Sequence, residues 1–421
     1  MNTTRTCFGL LAIAALAIAC SPDGRPVGPQ APALTAKRAG VPFTEGLASP
    51  EWQDTAATLV ARALFNPIAA GHAYALLGVA QYLAVQQAQA AAAGTDAESE
   101  ATSGNGIGSG GRARLETDRG AVAGASAVVL SYLFPSRAQT LEDIVAAEAN
   151  AGPGQPHPAF AAGEAIGRAV GAQIVMRARS DGFDRPAIGT PPVGPGFWVS
   201  ASPPAVVGGQ LPGVTPWFLT SADQFRPAPP PAFGSAEFLA ALAEIRHISD
   251  TRTAEQIQIA TFWAQNPGTP TTSGFWLGEA TDGIIEHGLS ERDATHLYAL
   301  LSATMFDAQI GCWDAKLTYW FIRPWQADPA ITAIPAVGRP NHPSYPSGHS
   351  CLSSSAAVVL KTFFPEEQPR LDAMVTEAGL SRMYAGIHYR FDIDAGRHLG
   401  RSVAAFAIAA DASGHSVLTP R

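Results

Sequence analysis

Between residues 186 and 231, twelve of forty-six residues are proline, with Trp198, Trp217 and Phe218 set among them. Proline lacks a backbone N–H and locks φ, so this stretch is neither regular helix nor central strand. Its aromatics predict an ordered wrap over a larger body, because disordered segments are poor in aromatic residues. On both sides of it apolar residues recur at helical spacing, as in Leu59, Val60, Ala63 and Leu64. Helices are expected over 51–93 with a break at Asn66-Pro67, then over 119–133, 140–151 and 158–177. Beyond the wrap they are expected over 235–248, 253–264, 274–286, 290–321, 347–363, 366–379 and 388–410. Convincing strand alternation and internal repeats are absent. The expected fold class is therefore all-α: packed helical bundles carrying one long, ordered, proline-rich loop.

Composition narrows the function classes. A net charge of −8 argues against sequence-independent nucleic-acid binding. Charged residues make up only 15%, yet 47% are hydrophobic, which excludes global disorder. Beyond residue 20 no uninterrupted apolar run approaches the length of a membrane helix. The first twenty residues read as an export signal: Arg5, an apolar stretch from Phe8 to Ile18, then Ala17 and Ala19 before Cys20. Cys20 followed by Ser21-Pro22-Asp23 resembles a bacterial lipoprotein processing site, although such sites usually carry Leu where Ala17 stands. Lipidation at Cys20 and simple export both place the mature protein outside the cytoplasm, periplasmic or at the cell surface, with membrane contact only through the anchor. The expected division is 1–19 signal peptide, 20–48 tether, 49–234 N-terminal helical region with loops at 94–111 and 186–231, and 235–414 C-terminal bundle. Cys312 and Cys351 remain after processing, as buried thiols or as a pair.

Three short segments carry chemistry. In the first, Lys316 and Arg323 stand seven apart around mostly apolar residues, which on a helix puts both cations on one face, with Pro324 as the stop. In the second, His342-Pro-Ser-Tyr-Pro-Ser347-Gly348-His349, Ser347 is placed to cap a helix. Gly348 allows close approach of its N–H to an oxyanion at the helix N-terminus, with His349 beside it. In the third, Ser381-Arg382 precedes His388 and Asp392, which at four-residue spacing share a helix face, so the carboxylate holds the imidazole tautomer. Gly386 is expected to break the helix and bring Arg382 in from a preceding loop. Singly, each segment has an ordinary explanation: surface cations, a turn, a surface contact. Together they supply cations for charge, amides for oxygens, one imidazole to attack or coordinate and one to move protons, which is a kit for a tetrahedral or trigonal-bipyramidal oxyanion.

The pattern Lys-x6-Arg-Pro, Pro-Ser-Gly-His, Ser-Arg-x5-His-x3-Asp resembles the superfamily of vanadium-dependent haloperoxidases and type-2 phosphatidic acid phosphatases. Weaker likeness to bacterial vanadium-haloperoxidase-like proteins extends through Gly196-Phe-Trp-Val, Arg252-Thr-x-Glu-Gln and Phe262-Trp263. The resemblance implies four-helix bundles with the anion site at the core of one. It implies that Lys316, Arg323, Arg382, Ser347 and the Gly348 amide hold oxygens, that His388 binds vanadium or attacks phosphorus, and that Asp392 orients His388. His349 is then the acid–base group. His342 matches a histidine of bromoperoxidases and Trp313 a tryptophan of fungal chloroperoxidases, as a possible halide site; a loop histidine and a core aromatic are the plain alternatives. The expected function is a vanadate-dependent haloperoxidase acting on hydrogen peroxide and halide. The alternatives are an acid phosphatase that needs no cofactor and takes a small phosphate ester, and a non-catalytic anion-binding lipoprotein. Asp307 and Asp314 are further candidates to pair with the motif cations.

Overall fold

The computed structural model describes residues 46–100, 109–151, 157–203 and 205–419; the expected signal peptide, Cys20 and tether residues 20–45 lie outside them. Apolar periodicity becomes helix almost wherever it occurs. In chain order the helices are α1 (Ala48–Arg62), α2 (Pro67–Glu100), α3 (Ser109–Leu133), α4 (Ala138–Ala149), α5 (Pro158–Ser180), α6 (Ala236–Thr251) and α7 (Ala254–Phe262). They continue as α8 (Thr271–His287), α9 (Glu291–Tyr319), α10 (Pro324–Ala327), α11 (Gly348–Phe363), α12 (Gln368–Tyr384) and α13 (Arg390–Ala412). The protein is all-α, and among the described residues extended pairing is limited to two isolated bridges, Phe197 with Phe321 and Pro267 with Thr269.

Much of the segment 94–111, expected as a loop, is helical: α2 runs on to Glu100 and α3 begins at Ser109. In the extension of α2, Ala97, Glu98 and Glu100 are good helix formers; the start of α3 at Ser109-Gly110-Gly111 has no such local reason. One helical stretch, Pro67–Ala92, is also long and apolar enough to cross a membrane, but 89% of its most apolar window is buried inside the protein. It is apolar all round because it is surrounded.

Helix α9 is the axis on which the site depends. It packs along α2 on one side and against α11 and α13 on the other, so the helices before and after residue 234 share one apolar core. Several helix pairs approach backbone to backbone, α3–α5 and α11–α13 the most tightly. In α3 and α5, a Cβ at Gly120 would lie 2.1 Å from the Phe160 carbonyl oxygen, and one at Gly163 only 1.9 Å from that of Thr117. In α11 and α13, a Cβ at Gly400 would lie 2.2 Å from the Cys351 carbonyl oxygen. Any side chain at these positions forces the helices apart.

The proline-rich segment is an ordered wrap, and the body supplies the partners that its irregular backbone cannot find in itself. Asp307 of α9 accepts the N–H groups of Trp217, Phe218 and Leu219 at 2.8, 2.7 and 3.0 Å. Asp314 takes Arg226 at 2.6 and 2.9 Å. Tyr319 and Tyr345 donate to the carbonyls of Pro227 and Ala228. Trp198 N–H donates to Trp320 O, and Ile322 N–H returns to Gly196 O. Asp307 and Asp314 thus anchor the wrap and do not pair with the motif cations.

Candidate active site

Helix ends converge on one place. Lys316 lies in the last turn of α9, Arg323 is the N-cap of α10, Ser347 the N-cap of α11, and Arg382 lies in the last turn of α12. Asp392 stands in the first turn of α13, and His388 two residues before that helix. Three local geometries differ from what spacing alone predicts. Lys316 and Arg323 do not share a helix, because Trp320 turns into the left-handed region (φ 47°) and ends α9; Pro324 then opens α10 as its first residue instead of stopping a helix. His388 is not helical, and Asp392 reaches back to it. Arg382 belongs to α12 itself; Gly386, at φ 74°, breaks the chain just afterwards.

His388 Nδ1 lies 2.7 Å from Asp392 Oδ2, which also accepts from Ser344 Oγ at 2.6 Å and from the Tyr389 N–H at 3.1 Å. A carboxylate facing Nδ1 places the ring proton there and leaves the lone pair on Nε2. That nitrogen accepts from Arg323 Nη1 at 3.1 Å. Arg323 also donates from Nε to His342 O (3.0 Å), from Nη1 to Ile387 O (2.7 Å) and from Nη2 to His342 Nδ1 (3.0 Å). Lys316 Nζ donates to the carbonyls of Pro343, Ser344 and Pro346 in the loop before α11. Arg382 donates to Ser381 Oγ (2.9 Å) and to Ala260 O (3.0 Å). Ser347 Oγ accepts the Ser350 N–H, which secures the start of α11, and His349 Nε2 lies 2.8 Å from Trp263 O.

Lys316, Arg323 and Arg382 are buried together with Asp392. Desolvation lowers all three cations, Lys316 to about 8, Arg323 to about 10 and Arg382 to about 9, and raises Asp392 to about 6. Burial, and then the neighbouring cations, hold His342, His349 and His388 well below the ordinary imidazole range. His342, Gly348 and His349 are partly exposed, whereas Lys316, Arg323, Arg382, His388 and Asp392 are buried.

Trp313 and His342 also reach this place. Their ring centroids are 5.0 Å apart, and Trp313 lies 5.6 Å from Lys316 Nζ while its indole N–H donates to Val207 O of the wrap at 2.7 Å. Cys312 and Cys351 are buried free thiols. Ser344, Thr272 and the carbonyls of Trp263 and Ala260 also belong to the site. Ser344 sits inside the second motif and Trp263 inside a segment of weaker likeness, but neither was assigned a role from sequence; Thr272 and Ala260 carry no local signal.

Residues 295–412 match the PAP2 superfamily. The non-specific acid phosphatase of Providencia stuartii is 28% identical over 179 residues, 40% of this chain and 67% of that enzyme. The non-specific acid phosphatase of Salmonella typhi is 44% identical over 57 residues, 14% of this chain and only 23% of that enzyme's length. Among solved structures, a bacterial vanadium-dependent iodoperoxidase superposes with a TM-score of 0.68 at 24% identity, covering 86% of this chain and 96% of that one. A bacterial vanadium-dependent chloroperoxidase in its holo form superposes with a TM-score of 0.59 at 14% identity, covering 89% and 96%. These superpositions establish a shared all-α fold.

Proposed function

We propose that this chain, whose residues 295–412 form a PAP2-superfamily segment, is a vanadate-dependent haloperoxidase that oxidises halide with hydrogen peroxide. The carrying observation is a charge imbalance: three buried cations surround one buried carboxylate and a histidine whose Nε2 lone pair faces them. Such an arrangement is costly unless an anion joins it. The donor set fits vanadate: an imidazole nitrogen whose partner N–H is held by a carboxylate, cationic donors, and a helix N-terminus. Lys316, Arg323, Arg382, Ser347 and the Gly348 amide would hold its oxygens and His388 its vanadium. When bound, vanadate supplies Lewis-acid activation of hydrogen peroxide toward halide.

The chain's own residues perform the remaining work. Asp392 keeps the proton on Nδ1 of His388, so Nε2 stays a donor atom. Arg323, which holds that nitrogen, would direct its charge to the oxygens of a bound anion. His349, partly exposed, moves protons. His342 stands on the same side with the buried Trp313 packed against it, where a halide would approach. The peroxidase reading is supported by the shared fold, which extends over 86–89% of this chain.

A second reading has its own support in the 28% identity to an acid phosphatase over 179 residues. There His388 Nε2 would attack phosphorus and His349 would protonate the leaving alkoxide, with no cofactor. Purified protein given orthovanadate, hydrogen peroxide, iodide or bromide and an organic acceptor should halogenate it only with vanadate. Phosphate release from small monoesters, inhibited by vanadate and without halogenation, would select the phosphatase. In both readings the enzyme works outside the cytoplasm, tethered if Cys20 is lipidated.

A further inference from the structure

The end of α7 and the start of α8 contain no residue of the three motifs, yet they meet His349 twice. Nε2 of His349 lies 2.8 Å from the Trp263 carbonyl oxygen and 3.3 Å from Thr272 Oγ1. We propose that the Trp263 carbonyl and the Thr272 hydroxyl hold His349 as its Nε2–H tautomer, making Nδ1 the atom that takes and returns the proton during turnover. The inference rests on the reading of His349 as the acid–base group and names its working atom and its positioning residues.

A carbonyl oxygen has no proton to give, so the hydrogen in the 2.8 Å contact belongs to Nε2. The neutral ring then keeps its lone pair on Nδ1. Thr272 Oγ1, on the same side, is a second acceptor for that N–H. Both partners are firmly placed. Trp263 is fully buried, its ring packs edge-on against Phe262 and Phe275, and its indole N–H donates to Glu377 Oε1 of α12 at 2.9 Å. Because Trp263 ends α7, its carbonyl is free to turn outward to the histidine. Thr272 follows Thr271, a buried β-branched residue at φ 66°, a conformation such residues rarely adopt. Strain of this kind persists where surrounding structure enforces it, and it clusters at working sites.

The charged surroundings explain why the ring needs such partners. Arg382 of α12, Lys316 of α9 and Arg323 at the head of α10 all disfavour a protonated His349, and His342 is the neighbouring titratable ring. The Trp263 carbonyl acts in the opposite sense and favours the proton. An acid in this position requires an acceptor that stabilises its cationic form, and the end of α7 provides it.

The test uses the whole protein with orthovanadate, labelled with 15N-histidine, the His349 signals being assigned by their loss in His349→Ala. The expected spectrum at neutral pH shows a proton on Nε2 and a bare Nδ1; a proton on Nδ1 overturns the proposal whatever the protein's activity. In turnover, Thr272→Val should lower kcat by about threefold to tenfold with little change in the halide KM, and should move the acidic limb of the pH profile to lower pH. Thr272→Ser should restore both. A Thr272→Val protein with wild-type pH profile and wild-type histidine spectrum would remove Thr272 from the assignment.

Discussion

Arg323 and His388 meet nitrogen to nitrogen, with guanidinium Nη1 3.1 Å from imidazole Nε2. A guanidinium only donates, so Nε2 must offer its lone pair, and the ring proton is forced to the side of Asp392. The same Arg323 holds His342 Nδ1 at 3.0 Å, so one cation fixes the protonation pattern of two rings.

Asp392→Asn removes the one carboxylate among three buried cations. Turnover should fall by about a hundredfold or more. Stability should drop by about 3–5 kcal/mol, the usual cost of stranding buried charge. Added phosphate or vanadate should recover part of that loss in urea denaturation. A variant as stable and active as the parent contradicts the charge argument.

The folded protein holds Lys316 at about 8, below its ordinary 10.5. Between those values the unfolded chain binds more protons than the folded one, so stability rises with pH across this window. Arg382 and Arg323, lowered to about 9 and about 10, act in the same direction at higher pH. Asp392, raised from 3.8 to about 6, acts oppositely: its contribution is fully present below 3.8 and lost as pH rises through 6. A bound oxyanion keeps Lys316 protonated, so denaturation curves taken between pH 8 and 10.5 should lose their upward slope when phosphate is present.

His349→Ala should abolish halogenation or ester hydrolysis, by about a hundredfold or more, while leaving anion binding largely intact. Rates measured beside anion-induced shifts in melting temperature separate the two. Retained activity would displace His349 from the acid–base role.

Asp307→Ala strips the acceptor from three consecutive N–H groups of the wrap. The expected cost is about 2–4 kcal/mol. Because Val207 of the same wrap accepts from the Trp313 indole, limited proteolysis should show faster cleavage between 186 and 231, with weakened halide response.

Growing cells with a labelled fatty acid tests the amino terminus. Label on the mature protein, absent from Cys20→Ser, is the outcome expected of a lipoprotein; unlabelled mature protein means simple export.

The order of the helices was legible because apolar spacing was regular, although α2, α3 and α12 run beyond their expected bounds, and the wrap was legible because prolines forbid regular structure. Convergence of the motif residues was legible from residue types whose burial demands a shared partner. The path of the chain between them was not. Trp320 enters a left-handed turn that bulky residues seldom take, so the Lys316–Arg323 spacing suggested one continuous helix. The place of Trp263 and Thr272 was hidden for another reason. One contributes a main-chain carbonyl, which every residue possesses, and both lie more than seventy residues from His349.

Gly396 and Gly400 let α13 lie directly on the backbone of α11. The gap between the His388–Asp392 pair and the Ser347–His349 turn is therefore gauged by peptide planes in contact and is insensitive to side-chain repacking. Chemistry at the rim can drift through substitution while this inner spacing stays constant, like a vice whose jaws have been welded at one setting.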